Sequence, residues 1–199
     1  MSLLFETIRI ENGLAQNLEW HERRMSLAKR EIWQVNEPVI LGPRISVPPE
    51  FKSGTVRCNI HYGPGIQSIT YRRYEKRQIC SLKLVTCDTI DYHLKFADRA
   101  LLKSLLAFRG ECDEIIIIKN GFLTDTSMSN IMFRDGEKWV TPANPLLKGT
   151  CRERLIREGW LTEREVRPED IMEYGGLKII NAMRNPEDEM IIPVSQILQ

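Results

Sequence analysis

The chain has 199 residues, 42% of them hydrophobic, which is enough to bury one large core or two smaller ones. Its 28 lysines and arginines nearly balance 27 aspartates and glutamates, which argues against nucleic acid or an anionic membrane as a partner. Three histidines without a paired spacing predict no metal site, and five scattered cysteines with no CxxC pair predict reduced thiols in the cytoplasm. We expect no signal peptide and no membrane span, because no apolar stretch is long enough. The composition favours a small-molecule partner.

The first eighty residues predict strands and one helix. Residues 3–10 are typical of a strand, and the Asn12-Gly13 pair after them predicts a tight turn into a second short strand. Residues 18–33 predict an amphipathic helix. The positions at helical spacing on one face are Leu18, His21, Met25 and Ala28. Two or three more strands are predicted within residues 55–86.

The second half of the chain predicts a different arrangement. Residues 94–108 have apolar side chains three and four apart and end before Gly110, which predicts a helix with Lys95 at its start. Within residues 114–142, Asn-Gly and Asp-Gly pairs between apolar runs predict an antiparallel meander. A short helix after Gly149, a helical turn at 171–174 and two final strands complete the prediction. The sequence thus predicts an α+β protein with a small domain over residues 1–82 and a larger domain over 83–199.

Six segments, in order, are similar to the motifs of one enzyme family. They are FETIR (5–9), HERRM (21–25), KFADR (95–99), DEIIIIKNGFLTDTSMSNIMF (113–133), GTCRERLI (149–156) and NAM (181–183). Their order and spacing resemble those of the class IV aminotransferases and aminodeoxychorismate lyases, which are fold type IV enzymes dependent on pyridoxal 5'-phosphate. The resemblance covers nearly the whole chain. It implies the two-domain architecture of the D-amino acid aminotransferase-like fold, shortened at the N-terminus.

The resemblance implies a role for three charged residues. Lys95 matches the lysine that holds the cofactor as a Schiff base and then moves a proton between substrate atoms. Asp125 stands where the family usually has a glutamate that contacts the pyridine nitrogen, although a polar residue beside a turn is the alternative interpretation. Arg24 matches the arginine that binds the cofactor phosphate, and His21, one helical turn earlier, is expected to orient it.

The resemblance also implies backbone contacts to the phosphate. Gly149, Thr150 and Cys151 precede a predicted helix, so their amides could face an anion, with an ordinary helix cap as the alternative. A second phosphate turn is expected at Asn181 and Ala182, where a small residue lets the backbone approach the cofactor. Asn130 matches an asparagine after the hairpin, and we interpret it as structural support.

The chain departs from the family pattern in three places. It begins almost at Phe5-Glu6-Thr7, so that roughly twenty residues of the usual small domain are missing relative to the pattern. Asp98 replaces an asparagine three residues after the lysine, and Asp125 is one methylene shorter than the usual glutamate. These departures concern substrate specificity more than cofactor binding.

Three functions follow as hypotheses. The first is a 4-amino-4-deoxychorismate lyase that eliminates pyruvate to give 4-aminobenzoate for folate synthesis. The second is an amino acid transaminase of the branched-chain or D-amino acid type, and the third is a scaffold that binds the cofactor without turnover. The resemblance also implies a homodimer. A nucleic-acid module built on residues 71–74 is a weak alternative, because such a cluster on a strand is usually a solvated face.

Overall fold

A computed structural model describes residues 3–199, and in it the chain forms two compact units. The first unit ends at Lys76 and also includes Leu94–Asp98. The second comprises Arg77–His93 and Arg99–Gln199. The predicted division between residues 82 and 83 lies a few residues beyond the end of the first unit, and it did not include the return of residues 94–98.

The first unit is one antiparallel sheet with a helix. Its elements are β1 (Leu4–Glu11), β2 (Leu14–Ala15), α1 (Leu18–Trp33), β3 (Thr55–Tyr62) and β4 (Ile66–Arg73). The strand order is β2-β1-β3-β4. Asn12 and Gly13 have φ values of 48° and 82°, as the predicted tight turn requires. Alternate residues of β1 and β3 are buried, and the buried positions of α1 are His21, Met25 and Ala28. The predicted hairpin and helix are therefore confirmed.

Residues 94–98 run along β1 instead of starting a helix. The amide of Phe5 donates to the carbonyl of Lys95 at 3.0 Å, and the amide of Ala97 donates to the carbonyl of Leu3 at 2.8 Å. An isolated antiparallel bridge joins Leu4 to Phe96. The prediction that a helix starts at Lys95 is wrong, because these backbone hydrogen bonds hold the segment extended.

The second unit contains two four-stranded sheets and two α-helices among the described residues. Its elements are β5 (Leu82–Thr86), α2 (Ala100–Leu106), β6 (Glu114–Lys119), β7 (Phe122–Thr126), β8 (Asn130–Asp135), β9 (Lys138–Pro142), α3 (Thr150–Arg157), β10 (Thr162–Arg164), β11 (Leu177–Ile180) and β12 (Ile197–Leu198). One sheet has the order β12-β5-β6-β7 and the other β10-β9-β8-β11. A buried cluster of isoleucine, leucine, valine and aromatic side chains from both sheets forms the main core of this unit.

The predicted meander is correct for each hairpin and wrong for their connection. Strands β6 and β7 pair antiparallel, as do β8 and β9, but β7 and β8 belong to different sheets. The amide of Thr126 donates to the carbonyl of Ser129 at 2.8 Å, and this tight turn directs the chain from one sheet to the other. A turn that local sequence specifies can therefore connect strands that do not pair.

The C-terminal predictions have mixed outcomes. Helix α3 is confirmed, and the predicted helical turn at 171–174 overlaps a 3-10 helix at Pro168–Glu173. Strand β11 is present, but residues 189–194 form no regular strand, and Ile192 makes one isolated bridge to Leu177. Pro193 follows at once and has no amide hydrogen to extend a ladder. No helix within residues 3–199 is both long enough and apolar enough to cross a membrane.

Candidate active site

Lys95 lies on the extended segment beside β1, at one end of the first unit's sheet. Its Nζ is 4.6 Å from the centroid of the Phe5 ring. That ring stacks on His61 of β3, with ring centroids 5.9 Å apart. The hydrogen bond from β1 to the Lys95 carbonyl holds the Lys95 backbone in place. The Lys95 side chain extends from there to the face of the Phe5 ring. The role of Lys95 as cofactor lysine stays a prediction.

Arg24 is held by a buried carboxylate that we did not identify from the sequence. Its Nε donates to Glu6 Oε1 at 2.8 Å and its Nη2 donates to Glu6 Oε2 at 2.5 Å. His21 Nδ1 lies 2.7 Å from the same Oε2. Glu6 and His21 are 0% and 1% exposed. The two-pronged geometry fixes the plane of the guanidinium, and Glu6 links His21 to Arg24.

The charges of this cluster follow from burial and pairing. Burial would raise the pKa of Glu6, but the charge of Arg24 and the hydrogen bond from His21 outweigh it and hold that pKa at about 2. Burial lowers the pKa of His21 despite the neighbouring carboxylate. At neutral pH Glu6 is therefore an anion and His21 is neutral, and its Nδ1 carries the proton donated to Glu6. The sequence did contain a signal for a buried charge here. Glu6 alternates with Leu4 and Ile8 on the face of β1 that is otherwise apolar and buried.

In the second unit, Asp125 and Asn130 form a buried pair. Asn130 Nδ2 donates to Asp125 Oδ1 at 2.7 Å and to the Leu147 carbonyl at 2.8 Å. The Leu147 amide donates to Asp125 Oδ2 at 2.9 Å. Burial raises the pKa of Asp125 to about 6, although these hydrogen bonds and the charge of Arg152 oppose the rise. Asn130 thus supports Asp125, as a structural role would require.

Gly149 is packed directly against Asn130. A Cβ atom at Gly149 would overlap Asn130 Oδ1, so only glycine fits this close approach. Gly149 precedes α3 and no side chain caps the helix. The first amides of α3, including those of Thr150 and Cys151, consequently lack a side-chain acceptor at the cap. Both residues are buried.

Asn181 and Ala182 form a tight turn after β11. The Arg184 amide donates to the Asn181 carbonyl at 3.0 Å, and the Met183 amide donates to Asn181 Oδ1 at 2.8 Å. Asn181 Nδ2 donates to Ser129 Oγ at 2.8 Å, which links this turn to the turn between β7 and β8. Ser129 is a second residue that the sequence did not single out.

A third missed residue, Glu114, holds the turn between β7 and β8. It is fully buried, and its Oε2 accepts a hydrogen bond of 3.0 Å from Ser127 Oγ. Arg99 Nη2 donates to the Ser127 carbonyl at 2.6 Å. The turn between Asp125 and Asn130 is therefore anchored by a buried acid and by an arginine. The sequence signal for Glu114 was its place directly before four consecutive isoleucines.

The contacts divide the predicted residues into two sets. In the first unit, Glu6 joins Arg24 to His21, and Lys95 lies over Phe5. The second unit brings together Asp125, Asn130 and Gly149, with Asn181 connected through Ser129. Each set is an internal network of its own unit.

Comparison with known proteins agrees with the sequence resemblance. The family model for amino-transferase class IV matches residues 3–197. A protein of Haemophilus influenzae (strain Rd), itself uncharacterised, is 44% identical over 182 residues, which are 90% of this chain and 97% of that protein.

Solved structures similar to this chain carry both kinds of name, lyase and aminotransferase. A protein from Haemophilus somnus 129PT, provisionally assigned as a 4-amino-4-deoxychorismate lyase, is 35% identical with a TM-score of 0.81, covering 93% of this chain and 98% of its own. A hypothetical aminotransferase from Mycobacterium tuberculosis in its PLP-bound form is 16% identical with a TM-score of 0.76, covering 96% and 80%. The branched-chain amino acid aminotransferase from Escherichia coli is 15% identical with a TM-score of 0.71, covering 98% and 76%. The last two likenesses show a common fold. The chain therefore belongs to the class IV aminotransferase family and is a pyridoxal-phosphate-dependent enzyme.

Proposed function

We propose that this enzyme is a 4-amino-4-deoxychorismate lyase, which releases pyruvate from its substrate and leaves 4-aminobenzoate. The observation that carries the proposal is the 35% identity to the Haemophilus somnus protein over nearly the full length of both chains. That protein bears the same provisional assignment. The compact KFADR and NAM segments of this sequence also resemble the lyase branch.

The residues of the second unit fit the cofactor. Asp125 is a buried carboxylate whose hydrogen bonds come from neutral amides, so a protonated pyridine nitrogen would supply the charge that its site lacks. The uncapped start of α3, with Gly149 and the amides of Thr150 and Cys151, fits a phosphate group. The turn at Asn181 and Ala182 would provide further backbone donors. Arg24, held in one plane by Glu6, would add a charged donor.

The chemistry divides between cofactor and protein. When bound, the cofactor withdraws electrons from the substrate carbon that carries the amino group. Lys95 Nζ would take the proton from that carbon and then deliver a proton to the departing enol of pyruvate. Asp125 would keep the ring nitrogen protonated. In a transaminase the same lysine would instead deliver the proton to the carbon atom of the cofactor that is bonded to the amino nitrogen.

The test has two stages. The purified protein is first examined by near-ultraviolet and visible spectroscopy, reduced with borohydride and mapped by peptide analysis, and we expect the label at Lys95. It is then supplied with 4-amino-4-deoxychorismate, and pyruvate and 4-aminobenzoate are measured. Amino-group exchange between an amino acid and a 2-oxo acid, without pyruvate release, would establish the transaminase alternative. A protein that takes up the cofactor and responds to no amino substrate would be the scaffold.

Arg24→Ala should weaken cofactor binding. Losing a charged hydrogen bond to phosphate corresponds to about 1.5–3 kcal/mol, or roughly 10- to 150-fold in the dissociation constant, which fluorescence titration measures. Arg24→Lys keeps a positive charge opposite Glu6 and serves as the matched control, with a smaller loss. Unchanged cofactor affinity in the alanine variant would refute the role of Arg24.

Asp125 should make the stability of the cofactor-free protein depend on pH. Its folded pKa of about 6 lies above its ordinary value of 3.8, so its contribution is fully present below pH 4 and is lost as the pH rises through 6. The shift corresponds to about 3 kcal/mol. Between pH 4 and 7, we expect the free energy of urea unfolding to fall by up to about 3 kcal/mol more in the wild type than in Asp125→Asn. Parallel pH profiles for the two proteins would contradict the assignment.

We further propose that the enzyme is a homodimer in the cytoplasm, since the family resemblance implies a dimer and the scattered cysteines without a CxxC pair favour a reduced environment. Sedimentation equilibrium of the cofactor-loaded protein should give twice the chain mass of 23.2 kDa. A monomer at micromolar concentration would refute the dimer.

A further inference from the structure

Arg184 closes the turn that contains Asn181 and Ala182, and its side chain is buried. The Arg184 amide donates to the Asn181 carbonyl at 3.0 Å, and the Asn181 amide donates to the Arg184 carbonyl at 3.3 Å. The first of these hydrogen bonds is the one that defines a four-residue turn. The Arg184 side chain is 5% exposed. The turn therefore ends at a positive charge that is enclosed by protein.

Two acceptors hold the Arg184 guanidinium in place. Its Nη1 donates to Glu189 Oε2 at 2.8 Å, and the Glu189 side chain is 7% exposed. Its Nη2 donates to the backbone carbonyl of Arg77, in the segment before β5. The segment that carries Glu189 is itself attached to β11, because Lys178 Nζ donates to the Pro186 carbonyl at 2.7 Å. The end of the turn is thus fixed both by the C-terminal segment and by the beginning of the second unit.

Folding stability alone does not explain the buried pair of Arg184 and Glu189. Both charges lose their hydration on burial, and replacing such a pair with apolar side chains of similar size is often neutral or stabilising. The pair does provide a fixed geometry, because a planar guanidinium with two directed hydrogen bonds has little freedom to move. Its effect is therefore to restrain the shape and the position of the turn.

One amide of the turn is available to a ligand. The amides of Asn181 and Arg184 bond within the turn, and that of Met183 donates to Asn181 Oδ1 at 2.8 Å. Among the residues that the structure describes, the Ala182 amide has no hydrogen-bond partner. Cys151 Sγ, at the start of α3, lies 4.0 Å from the Arg184 carbonyl. The turn with the available amide consequently borders the helix start that fits a phosphate group.

We propose that Arg184 is a positioning residue for the cofactor phosphate, because its bonds to Glu189 and Arg77 hold the turn in the form in which the Ala182 amide binds that phosphate. The inference rests on the proposed function for the place of the phosphate at this turn, and it adds the side chains that set the geometry of the turn. Arg184 acts through the backbone and does not touch the cofactor. Loss of its ion pair should therefore weaken binding of the phosphate and leave binding of the pyridine ring unchanged.

The test compares pyridoxal 5'-phosphate with pyridoxal, which lacks the phosphate. Both dissociation constants are measured by absorbance titration of the full-length protein freed of cofactor, and the ratio of the two constants reports what the phosphate contributes. We expect the wild type to bind the phosphorylated form at least about 100-fold more tightly, because several charge-assisted contacts are gained. In Arg184→Met this ratio should fall about tenfold, with the affinity for pyridoxal unchanged. Arg184→Lys keeps a charge opposite Glu189 and should recover part of the ratio.

A double variant separates positioning from folding. Arg184→Met deprives the buried Glu189 of its cation, which destabilises the protein. Combining it with Glu189→Leu removes both charges and should restore the stability that urea unfolding measures. The ratio of dissociation constants should nevertheless stay low, since apolar side chains make no directed hydrogen bonds. This double variant decides the question even if Arg184→Met alone fails to fold.

Arg164→Met is the matched control. Arg164 forms an ion pair of 2.8 Å with Asp135 in the same unit, and both side chains are about half exposed. This variant should keep the wild-type ratio. A ratio that falls as far in Arg164→Met as in the Arg184 variants, or one that keeps its wild-type value in both Arg184→Met and the double variant, overturns the role of Arg184.

Ala182→Pro tests the turn itself. Proline has no amide hydrogen, and the second position of such a turn accepts proline. We expect this variant to lower the ratio as Arg184→Met does. A wild-type ratio in Ala182→Pro refutes the phosphate site at this turn and the inference with it, whereas a low ratio in Ala182→Pro alone overturns only the role of Arg184. Because no amino substrate is present, failure of the lyase assignment shows in the pyruvate assay and leaves these ratios unaffected.

Discussion

Replacing Lys95 with alanine should abolish covalent attachment of the cofactor and reduce turnover by at least about 10³-fold. A positioned general acid or base commonly contributes 10²- to 10⁴-fold, and here the same amine would also hold the cofactor. The visible absorption of the bound cofactor should change to that of the free aldehyde, and borohydride should fix no label to the peptide that contains residue 95.

Lys103→Ala is the control for this result. Lys103 is an exposed residue of α2, eight positions along the chain, and its side chain belongs to no predicted site. This variant should retain both the spectrum and the turnover of the wild type. Retained label in Lys95→Ala would show that another amine binds the cofactor, and equal losses in the two variants would show that the effect is not specific to Lys95.

Replacing Glu6 with glutamine should destabilise the protein by about 3–5 kcal/mol. Glu6 is fully buried and accepts hydrogen bonds from Arg24 and His21, so its neutral replacement leaves a largely buried guanidinium without its anion. Urea unfolding followed by circular dichroism measures the change. Glu11→Gln, on the same strand but 34% exposed in its ion pair with Arg9, should change stability by less than about 1 kcal/mol.

The pH dependence gives a second check on Glu6. Its folded pKa of about 2 lies below the ordinary value of 4.5, so its stabilising effect is present above pH 4.5 and is lost as the pH falls toward 2. The difference between wild type and Glu6→Gln should therefore shrink by about 3 kcal/mol over that window. Burial also lowers the pKa of His21, so the stability of the wild type itself falls further as the pH drops below the ordinary value of 6.5. A difference that is constant with pH would show that Glu6 is not the titrating group.

Local patterns predicted the elements whose geometry depends on neighbours in the chain. The 3.6-residue spacing from Leu18 predicted α1, and the Asn-Gly and Asp-Gly pairs predicted the hairpins of both halves. The same patterns could not show which strands share a sheet. The chain leaves one sheet at Thr126 and enters the other at Asn130, and this change depends on Glu114 and Arg99, which are distant in sequence.

The sequence by itself determined the family, the α+β class and the identities of the candidate cofactor residues, because these reside in motifs of a few adjacent positions. Only the tertiary structure decided that Lys95 is extended beside β1 and that Glu6 holds Arg24 and His21. The reason is physical. Hydrogen bonds and strand register join residues far apart in the chain, and the free energy of burying a charge depends on partners that no local pattern contains.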